Sequence, residues 1–209
     1  MIEVEAVGVV AGDVTLLAPV TARAARGEAL VVRGGNGSGK STLLRVLAGA
    51  RTPTSGVARI DGEPIAPRSG RFRRRVAAMI GLPPMAPDLT VRDHVRMVAS
   101  TWTDDPRAAE SLADDVRDEL GLTRLDRRFP HELSSGQTQL LGLALVMARP
   151  FAVLILDEPE QRLDAERVGL IAQVLRARRD AGGTLVVATH SAVLADALAD
   201  RTLHLGEAA

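Results

Sequence analysis

The chain has no cysteine and no tyrosine, one tryptophan, three phenylalanines and a single lysine. Without cysteine, disulfides, thiolate metal sites and cysteine nucleophiles are excluded. Aromatic residues make up only 2%, so a core drawn from the 46% hydrophobic content must be built of Val, Leu, Ile and Ala. A charge excess is missing too. Twenty-six basic residues face 26 acidic ones, whereas a domain dedicated to nucleic acid is usually basic overall, so no nucleic-acid partner is expected. No apolar run approaches the ~20 residues that span a bilayer. The longest, residues 140–147 and 151–156, are split by Ala148-Arg149-Pro150. The opening Met1-Ile2-Glu3-Val4-Glu5 is acidic and lacks the basic-then-apolar order of a signal peptide. These absences describe a chain that does not itself cross a membrane and that fits the cytosol.

At 209 residues, one globular domain is expected, with no tail of any length after Leu205. Residues 1–32 alternate apolar and polar, with turn signals at Gly12-Asp13 and Arg26-Gly27-Glu28, and read as short strands. Ala29-Leu30-Val31-Val32 is a buried strand running into a glycine loop, and residues 57–65 form a hairpin arm turning at Asp61-Gly62. The section from about residue 85 to 134 changes character. One helix opens at Pro87-Asp88-Leu89-Thr90 and bears Val91, Val95 and Val98. A second bears Ala108, Leu112, Val116 and Leu120. This is read as a helical insert. Beyond it, helices over Ser135–Met147, residues 163–180 and Ala192–Leu198 alternate with apolar strands at 152–156 and Thr184–Ala188. Strands alternating with helices imply an α/β fold whose mostly parallel sheet is covered on both faces. An antiparallel β region precedes it.

Lys40, the lone lysine among 26 basic residues, lies in Gly34-Gly35-Asn36-Gly37-Ser38-Gly39-Lys40-Ser41-Thr42. This is the G-x-x-x-x-G-K-[ST] pattern, placed after a strand and at the start of a helix, where loop amides and the helix N-terminus face phosphates. A compact ammonium fits such a loop and a broad guanidinium does not. Lys40 is expected along the β- and γ-phosphates of a nucleoside triphosphate, with the Ser41 hydroxyl on Mg²⁺. A second candidate is Val153-Leu154-Ile155-Leu156-Asp157-Glu158-Pro159, which ends an apolar strand in two carboxylates. Ligands of open parallel sheets sit at the carboxyl ends of the strands. Asp157 suits the Mg²⁺ shell, and Glu158 suits proton acceptance from an attacking water. A third, Leu133-Ser134-Ser135-Gly136-Gln137, opens the next helix and reads either as an ordinary Ser N-cap or as a second anion site.

The order of these motifs, followed by Leu163-Asp164 and Thr189-His190, resembles the nucleotide-binding subunits of ATP-binding cassette (ABC) transporters, over essentially the whole chain. The resemblance implies a P-loop ATPase that binds ATP and Mg²⁺, hydrolyses ATP, and forms a homodimer or paralogous heterodimer around two nucleotides. It implies that Ser134, Ser135, Gly136 and Gln137 act on the γ-phosphate held by the opposite subunit, and that Asp164 lies on the dimer seam. His190 would contact the γ-phosphate and keep water and Glu158 in register. A separate transmembrane permease is then the expected partner, received in the groove beside the insert. The chain would sit in the cytoplasm, peripheral on the inner face of the cell membrane. A soluble ABC-type ATPase acting without a permease is the alternative.

Against the family pattern, no aromatic stands near Ala11 to stack on adenine, and no glutamine precedes Gln137, so Met79-Ile80-Gly81-Leu82-Pro83-Pro84-Met85 lacks the glutamine expected at the joint with the insert. Ser135 stands where glycine is more frequent. The Arg71, Arg73, Arg74, Arg75 cluster is read as a solvated face.

Overall fold

A computed structural model describes residues 1–206, so the last three positions, and with them the expectation of a short end beyond Leu205, lie outside the described part. β1 (Ile2–Ala11) and β2 (Val14–Ala24) form an antiparallel hairpin around Gly12-Asp13. β3 (Ala29–Arg33) runs into the glycine loop and α1 (Lys40–Leu47). β4 (Ser55–Ile60) and β5 (Glu63–Pro64) then turn at Asp61 and Gly62, both at positive φ (53° and 76°). That pair of left-handed residues is what a tight hairpin turn requires.

Next come α2 (Gly70–Arg75), β6 (Val76–Met79), α3 (Val91–Ser100) and α4 (Pro106–Glu119). Two short 3₁₀ turns, Thr123–Leu125 and Pro130–Glu132, lead to α5 (Ser135–Met147). The chain closes with β7 (Val153–Asp157), α6 (Ala165–Asp180), β8 (Thr184–Ala188), α7 (Ala192–Leu198) and β9 (Arg201–His204).

The strands make two sheets. One is antiparallel, β2-β1-β4-β5; the other is parallel, β6-β7-β8-β3-β9. Successive side chains of a strand point to opposite faces, and here each face meets its own core. Val31, Leu154, Leu156, Leu185 and Val187 pack against α3 to α7, while Leu30, Val32, Ile155, Val186 and Ala188 pack against α1 and the antiparallel sheet. This double cover is why β3, β7 and β8 read as continuous apolar runs. α5 lies between α3 and the sheet and is apolar all round, so ten of its residues are buried.

Three elements were not anticipated: α2, β6 and β9. Each is six residues or shorter, too short for a periodic signal, and the two strands owe their place to neighbours in the parallel sheet. In α4 the buried stripe runs through Ala109, Ala113 and Val116, with Ala108 exposed. Val116 and Leu120 are buried as expected, while at the helix start the stripe passes through Ala109 and Ala113, one position after Ala108 and Leu112, because alanine beside alanine leaves the helix phase unmarked. The arginine cluster is only partly a solvated face. Arg75 joins the Met1 amine and Arg26 on the Asp61 carboxylate, and Arg71 pairs with Glu63.

Candidate functional site

Sheet register builds the site. Val32 is level with Ala188, and Ala188 with Asp157. The glycine loop leaves β3, Thr189-His190 leaves β8 and Glu158 leaves β7 at one level, while Met79 pairs with Leu156 one residue below. Three strand ends thus open on one crevice, as in open α/β sheets generally.

Within the loop, Lys40 is only 5% exposed, and its Nζ donates to the carbonyls of Gly34 (2.9 Å) and Gly35 (3.1 Å). The loop's shape demands glycine at Gly39, which has φ +94°, and where a Cβ would come within 2.8 Å of the Leu16 carbonyl. β2 therefore leans directly on the phosphate loop. Ser38 Oγ is buried and has no partner within the protein.

Lys40 Nζ also lies 3.1 Å from His190 Nε2, and Glu158 Oε1 lies 3.2 Å from the same nitrogen. A single ring nitrogen facing an ammonium and a carboxylate satisfies one at a time. As a lone pair it accepts from Lys40; carrying a proton it donates to Glu158. Glu158 itself stands at φ +48°, a left-handed backbone that costs a non-glycine residue about 1–2 kcal/mol. Its amide donates to the Ala188 carbonyl at 2.8 Å, and its carbonyl accepts from the amide of Gln161 at 3.0 Å and from Gln139 Nε2 at 3.4 Å. Gln139 Nε2 also donates to the Pro159 carbonyl at 3.2 Å. The side chain is held at the far oxygen by Gln161 Nε2, 3.2 Å away.

Two residues here escaped sequence reasoning, Gln139 and Glu160. Gln139 is a buried carboxamide on an otherwise apolar helix, and a polar group there needs a partner; that was the available signal. For Glu160 there was none, since its partners, Thr189 to Ser191, are about thirty residues away.

The fit of Mg²⁺ rests on one orphan. Asp157 Oδ1 is buried and has no hydrogen-bond partner within the protein. Among the described residues no cluster of three or more His, Cys, Asp or Glu side chains is placed to hold a metal by itself. A single carboxylate beside a Ser hydroxyl is the donor set Mg²⁺ uses when phosphate oxygens and water complete its shell, so Asp157 and Ser41 fit.

Ser134 to Gln137 lie elsewhere, at the N-terminus of α5. Ser134 Oγ accepts from the Gln137 amide (3.3 Å) and Gln137 Oε1 accepts from the Ser134 amide (2.9 Å), a complete capping box. The Ser134 hydroxyl proton and the first amides of the helix remain as donors. The 161–164 turn packs against this end, for a Cβ at Gly136 would sit 2.8 Å from the Arg162 carbonyl. Asp164 caps α6 through the Arg167 amide at 2.9 Å. No hydrogen bond among the described residues links Ser134–Gln137 to the glycine loop. One chain thus gathers Lys40, Asp157, Glu158 and His190 at the strand ends, while the hydrogen bonds of Ser134 and Gln137 stay within their own capping box.

Residues 17–161 match the family described as "ABC transporter". The chain is 32% identical over 198 residues to the lipoprotein-releasing system ATP-binding protein LolD of Bordetella pertussis, covering 92% of this chain and 85% of LolD. It is 30% identical over 201 residues to the glutamate transport ATP-binding protein GluA of Corynebacterium glutamicum, covering 94% and 83%. The cytochrome c biogenesis ATP-binding export protein CcmA of Xanthomonas campestris is 34% identical over 183 residues, covering 88% and 83%. In structure, the chain superposes with a TM-score of 0.88 on a dimeric ATP-binding cassette in a post-hydrolysis state bound to ADP and Pi. That match is 23% identical and covers 100% of this chain and 95% of the other. With cbiO1 from Clostridium perfringens, part of the ABC transporter complex cbiONQ, the TM-score is 0.83 at 26% identity over 99% and 85% of the two chains. The chain belongs to the ABC transporter family, as an ATP-binding, ATP-hydrolysing subunit of the kind that works with a separate permease.

Proposed function

We propose that two copies of this chain close around two ATP molecules, and that closure and hydrolysis drive the permease. The observation that supports this reading most directly is that Lys40, Glu158 and His190 contact one another beside Asp157, whereas the Ser134–Gln137 helix end makes no hydrogen bond to any of them among the described residues. Each half holds what the other lacks, so a complete site needs a second copy.

In this mechanism the amides of residues 34–42 and Lys40 bind the phosphates and orient them. Once phosphate oxygens offer stronger acceptors, Lys40 exchanges its contact with His190 for them, and the ring is free to contact the γ-phosphate. Glu158, fixed by Gln139 and Gln161, takes the proton of the attacking water at Oε1. The partner copy's helix N-terminus, with Ser134, Ser135, Gly136 and Gln137, meets the transferred phosphoryl from the opposite side, and Asp164 follows it onto the seam. Mg²⁺, held through Ser41 and Asp157, would supply charge neutralisation at the β- and γ-phosphates.

Residues 85–134 serve as a helical subdomain. Between it and the parallel sheet runs a groove of about 620 Å³, lined by Met85, His94, Met97, Trp102, Val146 and Arg149 among others. Met97 is 49% exposed. This groove is read as the seat of a permease helix at the inner face of the membrane. Among the described residues no helix is long and apolar enough to cross a membrane, and the membrane span is assigned to a separate permease. The named relatives release, transport and export different cargoes at similar identity, so cargo choice is assigned to the permease.

The test is Glu158→Gln. Hydrolysis should fall by about 100-fold or more while ATP binding persists, and with ATP the variant should sediment as a dimer. From detergent-solubilised membranes it should carry a polytopic protein with it. A variant that still hydrolyses at the wild-type rate would overturn the role of Glu158. One that dimerises but brings only soluble partners would shift the function to a permease-free ATPase.

A further inference from the structure

Glu160 takes no part in the mechanism above, yet its carboxylate is the most heavily engaged acceptor beside the loop that carries His190. Glu160 Oε1 accepts from the Thr189 hydroxyl at 2.5 Å, from the His190 amide at 3.0 Å and from the Ser191 amide at 3.2 Å. Its second oxygen is buried with no partner, so the group's hydrogen bonds all go to this one loop. Charge-assisted bonds of this kind are about twice as strong as neutral ones. Thr189 is itself buried, and its hydroxyl oxygen also accepts from the Ser191 amide at 2.9 Å. The loop that presents His190 is thus tied at three consecutive residues to a single oxygen.

The other end of that tie is the base. Glu158, Pro159 and Glu160 are consecutive. Pro159 is buried and fixed in φ, and Gln139 grips the carbonyls of both Glu158 and Pro159. Glu158 and Glu160 are therefore the two ends of one short rigid strap. One end aims a carboxylate at the ring of His190, and the other holds the backbone of His190. We propose that Glu160 is a positioning residue that sets the distance and angle between Glu158 and His190, acting through the 189–191 loop and touching neither nucleotide nor water. The proposal rests on the reading of His190 as the γ-phosphate contact. A shift near 1 Å in such a pair suffices to cost about 100-fold in rate.

The experiment is a double-mutant cycle of Glu160→Ala and His190→Ala, read as steady-state ATPase kinetics. The chain's histidines are His94, His131, His190 and His204, so a parallel imidazole NMR spectrum of the protein without nucleotide resolves few signals. Glu160→Ala should lower kcat by about 10-fold or more with KM for ATP changed less than about threefold, and should add nothing in the His190→Ala background. Glu160→Gln, which keeps an acceptor oxygen, should restore most of the rate. In the spectrum, Glu160→Ala should move the His190 resonances and leave those of His94, His131 and His204 in place. Should Glu160→Ala not fold, Thr189→Val replaces it. Removing one of the three donors, it should lower kcat about threefold in the wild-type background and not in His190→Ala. A Glu160→Ala rate within twofold of wild type, or losses that add to that of His190→Ala, would overturn the proposal. Full activity of His190→Ala alone would instead overturn the reading of His190 on which it rests.

Discussion

The chemistry of this site turns on how few atoms serve several partners. Lys40 divides one ammonium between two loop carbonyls and a histidine, and His190 divides one nitrogen between that ammonium and Glu158. A guanidinium in place of Lys40 would keep the charge but bring a rigid planar fork into a loop whose carbonyls close on a point. Lys40→Arg should therefore weaken ATP binding by about 10-fold or more in calorimetric titration, as severely as Lys40→Ala. At this scale much was legible. Lys40, Asp157, Glu158 and His190 each carry a motif, and the sheet register delivers them together. Glu160 was illegible because its partners come from another strand end, which spacing along the chain does not reveal, and Gln139 gave only the signal of a polar residue beside an apolar run.

Elements succeed or fail here on their ends. α3 begins with a reciprocal capping box, the Thr90 hydroxyl accepting from the Asp93 amide and the Asp93 carboxylate accepting from Thr90. The Thr90 hydroxyl's bond to Asp93, followed by that of the Thr90 amide, holds the Asp93 carboxyl below its ordinary pKa. A lowered folded-state value means the contribution is complete above the unfolded value near 4 and is lost as pH falls through the folded one. Thr90→Ala should cost about 1 kcal/mol at pH 7, and the difference from wild type should shrink below pH 4 in urea denaturation. α5 is more demanding. Because a Cβ at Gly136 meets backbone at Arg162, Gly136→Ala should push the N-terminus of α5 away from the 161–164 turn. A cost of about 1–3 kcal/mol should show in thermal unfolding, together with loss of ATPase activity. α3 and α4 were readable from the spacing of their apolar residues. The four-residue strands β6 and β9 were not, since only their neighbours in the sheet make them strands.

At the scale of the molecule, two cores share one parallel sheet, and the nucleotide site occupies the sheet's carboxyl edge between them. The antiparallel sheet reaches that site through β2, which touches Gly39, while the hairpin tip offers exposed Val10 and Val14 where an aromatic was expected. An aliphatic tip provides contact area without the stacking that contributes about 1–3 kcal/mol per base in nucleic-acid systems. Competition between ATP and GTP should accordingly give affinities within a few-fold of each other; a strong preference for ATP would show that another surface reads the base. The α/β architecture was visible in the alternation of strands and helices, and the double cover of the sheet in the purity of its apolar runs. What sequence left open was where the Ser134–Gln137 helix end lies, because that depends on how α5 threads between α3 and the sheet. One last property follows from the molecule's amines. Lys40 is the single lysine of the sequence, and its ammonium is nearly inaccessible. An acylating reagent applied to the folded protein therefore meets no exposed lysine, and the rate at which Lys40 is acylated becomes a direct clock for opening of the phosphate loop.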